Sequence, residues 1–169
     1  MASYRPRVID LTIANRLRNK GAILVEGAKW CGKTSTGEQQ AKSVIYMSDS
    51  ARRDQYRIFV DSTPKVILDG ETPRLIDEWQ QTPKLWDMVR FEVDHRHGMG
   101  QFILTGSAVP ANLEELHHTG TGRIARLLMR PMSLWESGDS NGTISLKELF
   151  TSPKSIAAEN NNDLQRISY

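Results

Sequence analysis

The sequence predicts an α/β fold, a parallel sheet joined by right-handed crossovers with helices on both faces, three layers in all. Three observations carry this. Apolar runs of strand length alternate along the chain with stretches of helix length. The first run, Ala22-Ile23-Leu24-Val25-Glu26, is almost wholly apolar, as a strand covered on both faces must be. A glycine-bounded loop, Gly27 to Gly32, then leads straight into a polar stretch of helix length.

Asp10 reads as the N-cap of a first helix carrying Leu11, Ala14 and Leu17, stopped by Gly21. The strand at 22–26, the glycine loop and a helix over 33–42 follow. A second strand is expected at Val44-Ile45-Tyr46-Met47, then a charged helical segment over 52–59 and a short helix begun by Ser62-Thr63-Pro64 and ended by Gly70. Pro73 to Glu78 reads as a third strand ending in two acids. Thr82-Pro83 starts a helix with Leu85, Val89 and Val93 on one face. Gln101 to Thr105 is a fourth strand closed by Gly106, a helix is expected over 112–118, and Ile124 to Met129 is a fifth strand. Ser133 with Glu136, and Ser145 with Glu148, are capping-box spacings that announce two short helices.

The 169 residues suit one domain, 38% hydrophobic and 25% charged, which lies within the globular range. Residues 1–150 are expected to form it. Residues 151–169, polar and holding Asn160-Asn161-Asn162, read as a tail that opens a following segment. The net charge of +2 does not indicate nucleic acid or an anionic membrane surface. The apolar runs are far too short for a bilayer span, and a single cysteine, Cys31, fits a reducing compartment, so a cytoplasmic address is expected. Trp79, Trp86 and Trp135 read as packing anchors. His95 with His97, and His117-His118, read as surface residues without the carboxylate or cysteine spacing of a metal site.

Gly27-Ala28-Lys29-Trp30-Cys31-Gly32-Lys33-Thr34, with Ser35 behind it, has the spacing of a phosphate-binding P-loop. The glycines let the backbone curl so that successive N–H groups converge on phosphate, and the next helix presents its positive end to the same anion. Lys33 is placed to reach the β- and γ-phosphates of ATP and the Thr34 hydroxyl to ligate Mg²⁺. Asp77 ends an apolar strand, where a carboxylate holds the same Mg²⁺ opposite Thr34. Glu78 follows, placed to orient and deprotonate water, or else to begin a solvated turn. Thr105 ends the next strand and reads either as a turn residue or as a hydroxyl on the γ-phosphate or the attacking water. Arg123, after Gly120-Thr121-Gly122, reads as an exposed arginine on a glycine-hinged loop.

Taken together, Gly27 to Thr34, Arg74 to Gln80, Gln101 to Ala108 and Gly122-Arg123 resemble the AAA+ superfamily of P-loop NTPases. More narrowly, they resemble prokaryotic ATP-binding AAA-type proteins in which an N-terminal ATPase domain precedes a domain of unknown function. The resemblance implies a five-stranded sheet of order 5-1-4-3-2. It also implies Thr105 or Ser107 as a γ-phosphate sensor and Arg123 as an arginine finger acting in a homo-oligomer. The chain departs from the pattern after residue 150, where no helical lid with a second sensing arginine can be read. The function expected is Mg-dependent ATP binding and hydrolysis that drives a conformational change. Two other readings stay open: a non-hydrolysing nucleotide switch, and a small-molecule kinase, for which Arg52, Arg53 and Arg57 are the candidate lid arginines.

Overall fold

The computed structural model describes residues 3–107 and 122–152. The helix expected over 112–118 and the tail from residue 153 lie outside them. The chain divides into two compact units, Arg7–Pro131 and a second made of Met1–Pro6 with Met132–Tyr169.

In the larger unit the elements run α1 (Ile9–Asn19), β1 (Ala22–Gly27), α2 (Lys33–Gln40), β2 (Ser43–Tyr46), α3 (Arg53–Ser62), α4 (Lys65–Leu68), β3 (Arg74–Asp77), α5 (Leu85–Arg96), β4 (Phe102–Ser107) and β5 (Ile124–Met129). A 3₁₀ turn, Trp79–Gln81, lies between β3 and α5. The five strands are all parallel in the order β2-β3-β4-β1-β5, which is 5-1-4-3-2 read from the other edge.

Strand sequence follows place in the sheet. β3 is buried along its whole length, and β1 and β4 nearly so, because helices cover both faces. The edge strands alternate: Val44 and Tyr46 of β2, and Arg126 and Leu128 of β5, face outward. One face packs Leu24, Ile76, Phe102 and Leu104 against Val60 of α3, Ile67 and Leu68 of α4, and Trp86, Val89 and Val93 of α5. The opposite face packs Ile23, Val25, Leu75 and Ile103 against Ile13 and Leu17 of α1 and against Cys31. Trp79 and Trp86 are buried, with ring centroids 5.2 Å apart.

Three expectations need correction. Asp10 is not the N-cap of α1: the helix begins at Ile9, and Asp10 sits in its first turn, its carboxylate accepting from the Arg7 N–H at 2.8 Å. Leu11 is 78% exposed, and the buried stripe runs through Ile13 and Leu17 instead. Trp135 is 61% exposed and anchors no core.

In the smaller unit the described residues include α6 (Leu134–Ser137) and α7 (Leu146–Thr151), both closed by complete capping boxes. The Ser133 N–H donates to Glu136 at 2.7 Å and the Ser145 N–H to Glu148 at 3.0 Å.

Candidate functional site: the C-terminal edge of β1, β3 and β4

β1 ends at Gly27, and the loop it feeds needs glycine twice. A Cβ on Gly27 would lie 2.1 Å from the Met129 carbonyl oxygen, so the close run of β1 beside β5 leaves no room for one. Gly32 turns the chain into α2 through the left-handed region, at φ 98°. Trp30 also has positive φ, 66°, and projects from the loop 93% exposed, with Lys29 Nζ 5.7 Å from its ring centroid. Cys31 packs inward, its thiol 3.7 Å from the Met129 carbonyl oxygen. Ser35 faces outward from the first turn of α2. The amides at the start of α2 supply the positive end of a helix dipole to the loop.

Two cations brace this loop from within. Lys33, 5% exposed, donates from Nζ to the Gly27 and Ala28 carbonyls at 3.1 and 2.8 Å. Arg7, 7% exposed, donates from Nη1 to the Cys31 carbonyl at 2.7 Å and from Nη2 to the Arg130 carbonyl at 2.9 Å. Its planar fork thus joins the glycine loop to the end of β5.

Across the sheet edge stands Asp77, the last residue of β3 and 5% exposed. Its Oδ1 accepts from the Thr34 hydroxyl at 2.8 Å and from the Thr105 hydroxyl at 2.5 Å. The register explains the meeting: Asp77 pairs with Thr105 across β3 and β4, and Thr105 with Val25 across β4 and β1. A carboxylate beside a threonine hydroxyl is a hard-oxygen donor set of the kind Mg²⁺ takes, with phosphate and water completing the shell.

Glu78 leaves the strand in the left-handed conformation, φ 54° and ψ 45°, and opens the 3₁₀ turn. β3 therefore ends one residue before the second acid. That reversal folds Gln80 back so that its Nε2 donates to Glu78 Oε2 and lies 3.4 Å from Ser107 Oγ.

Two further residues close the neighbourhood. Tyr46, at the end of β2 and in register with Asp77, donates its hydroxyl to Glu38 of α2 at 2.5 Å. That bond, with burial next, pushes the phenol up to about 12. Nothing in the local sequence signals the contacts of Arg7, of Gln80 or of the Tyr46–Glu38 pair, because each joins elements or crosses a turn. The parallel pairing of β2 with β3 would have placed Tyr46 beside Asp77.

Arg123 lies elsewhere. Its carbonyl accepts from the Ala22 N–H at the start of β1, so it sits at the opposite end of the strands from Gly27. Five residues of strand separate those ends, about 17 Å at the usual rise. Its guanidinium donates to Asp94 of α5 and holds that carboxyl below the usual range. His95 stacks on Phe91 one turn earlier in α5, with centroids 3.7 Å apart. Arg52 and Arg57, candidate lid arginines, sit in or beside α3 in exposed pairs with Asp49 and Asp54.

An all-parallel five-stranded sheet whose first strand runs through a glycine loop into a helix is the architecture of a P-loop nucleotide-binding domain. A family model described as an AAA domain matches residues 19–137, and the chain belongs to that family of AAA-type ATPase domains. The match takes in the glycine loop, Asp77-Glu78, Thr105 and Arg123. The comparison with curated proteins found no match. Among the described residues no helix is long and apolar enough to cross a membrane.

Proposed function

We propose that this domain binds Mg-ATP on the loop Gly27 to Thr34 and hydrolyses it to drive a conformational change. The supporting observation is the meeting of Thr34, Asp77 and Thr105 at 2.8 and 2.5 Å on the C-terminal edge of adjacent strands, beside the phosphate loop. Ligands of open α/β sheets bind at this edge.

The residues fit the group they would hold. Backbone amides at the turn into α2 would face the phosphates, and Lys33 would add a charge from within the loop, where it is already buried. Lys33 exchanges its bonds to the Gly27 and Ala28 carbonyls for phosphate oxygens. Thr34 and Asp77 would hold Mg²⁺, and Ser35 stands beside them in the first turn of α2. When bound, Mg²⁺ supplies charge neutralisation across the β- and γ-phosphates. Glu78 accepts the proton of the attacking water, and Thr105 keeps Asp77 aligned and senses the γ-phosphate from the adjoining strand.

The division of labour sets the test. Lys33→Ala abolishes tight binding, and Glu78→Gln retains binding but not turnover. Mg-ATP at a hundredfold excess over Kd stabilises the wild-type fold by about 2–3 kcal/mol. An equal ATP-dependent thermal shift in wild type and Lys33→Ala refutes the assignment of the loop. Undiminished phosphate release from Glu78→Gln refutes the assignment of the base.

A further inference from the structure

Gln80 belongs to no part of the phosphate-loop motif, yet its amide touches two residues at the nucleotide edge. The nitrogen donates to Glu78 Oε2 and lies within hydrogen-bond distance of Ser107 Oγ. Ser107 closes β4 and is in register with Gly27, the first residue of the phosphate loop. One amide group therefore spans from the acid after β3 to the hydroxyl beside the loop.

The other end of the same amide is unusual. Gln80 Oε1 is buried with no hydrogen-bond partner among the described residues. A desolvated carbonyl left unpaired is costly, and folded chains pair such groups almost everywhere. The backbone is also shaped around it. A Cβ on Gly106 would lie 2.4 Å from Gln80 Oε1 and 3.1 Å from Trp79 Nε1, so glycine at 106 lets the 3₁₀ turn press onto the end of β4. A turn entered through a left-handed glutamate and seated on a glycine fixes where this side chain can point.

We propose that Gln80 is a positioning residue that orients the Glu78 carboxylate and couples it to Ser107. This rests on Glu78 being the group that activates water. The amide nitrogen fixes one carboxylate oxygen, leaving the other free to face water. The buried Oε1 accepts a hydrogen bond from a donor that arrives with the nucleotide, such as a water in the phosphate shell. Contact of Ser107 with phosphate shifts the hydroxyl that Gln80 shares, so the orientation of Glu78 depends on what the loop holds.

The experiment uses the full chain and two readouts. In the nucleotide-free protein labelled with ¹⁵N, the Gln80 side-chain amide gives a downfield-shifted proton that moves in Glu78→Ala and in Ser107→Ala. An unmoved signal in Glu78→Ala overturns the proposal without any reference to activity. In turnover, Gln80→Ala and Gln80→Met each lower kcat at least tenfold while the Kd for Mg-ATP stays within twofold. Methionine keeps the length and volume of the side chain, so an equal loss in both variants assigns the effect to the amide and not to packing. Near wild-type kcat in Gln80→Met overturns the proposal. If Glu78→Gln itself turns over normally, the reading of Glu78 fails. If Glu78→Gln is inactive and Gln80→Met is normal, only the role of Gln80 fails.

Discussion

Lys33, Asp77 and Glu78 are each hydrogen-bonded within the chain, so a nucleotide entering here exchanges contacts instead of meeting unpaired charges. Removing Arg7 leaves buried groups unpaired, since two backbone carbonyls accept from its fork. Arg7→Ala should destabilise the fold by about 2–4 kcal/mol in urea unfolding, given hydrogen bonds to a charged, buried donor. Arg7→Lys should recover part of it, because an ammonium cannot reproduce the planar pair. A loss below about 0.5 kcal/mol for Arg7→Ala would show that the loop holds itself. Tyr46 offers a second residue-level measurement. The Glu38 carboxylate raises its phenol from 10.0 to about 12. The neutral phenol is therefore favoured in the folded chain. The stability this adds is complete below the unfolded value near 10 and disappears as pH rises through about 12. Ultraviolet titration of Glu38→Gln should show Tyr46 ionising closer to 10; an unchanged curve would mean that the hydroxyl is held up by something else.

Elements show how far a pattern reaches. The buried strands were legible to within a residue or two, because apolar runs bounded by turn residues admit few other readings. The turn from β1 through the glycine loop into α2 was legible because its cues are local: two glycines, a lysine and a threonine at fixed spacing. Asp77 was legible as the acid that ends an apolar strand. Its meeting with both Thr34 and Thr105 depended on strand order, which came from resemblance and not from spacing. Misreadings fell where local cues compete. Asp10 has the chemistry of an N-cap but uses its carboxylate one turn in, and Leu11 lies off the stripe that faces the sheet. The 3₁₀ turn after Glu78 carries no sequence signature, so the neighbour of that acid could not be foreseen. The close pairing of β1 with β5 gives the prediction at this scale. Gly27→Ala drives a methyl group into the Met129 carbonyl, at a cost of about 1–3 kcal/mol or more for overpacking. Ala28, exposed on the loop, should tolerate replacement by serine within about 0.5 kcal/mol. Equal melting temperatures for Gly27→Ala and wild type would contradict the observed strand spacing.

For the molecule as a whole, the position of Arg123 decides what it can serve. About 17 Å of strand lies between it and Gly27, so it cannot reach the phosphates of its own loop. Its pairing with Asp94 is exposed and salt-screened, and is therefore surrendered at little cost. We propose that it acts on the nucleotide of a neighbouring copy, as the resemblance implies, where an external arginine is worth about 10³–10⁵ in rate. Mixing Arg123→Ala with Glu78→Gln subunits, each inactive alone, should restore activity, because some interfaces then join an intact arginine to an intact glutamate. Confirmed co-assembly without recovery, or full activity in Arg123→Ala alone, would leave the arginine a surface residue. The parallel sheet has a consequence of its own. With every strand pointing the same way, the domain has two unlike poles, the Gly27 edge and the Arg123 edge. Copies joined pole to pole would form an array with a built-in arrow, each member meeting one neighbour with one edge and the next with the other. A two-fold pair, with the same patch facing itself, would leave the arginine of each copy away from the other's phosphate loop if the Gly27 edges met.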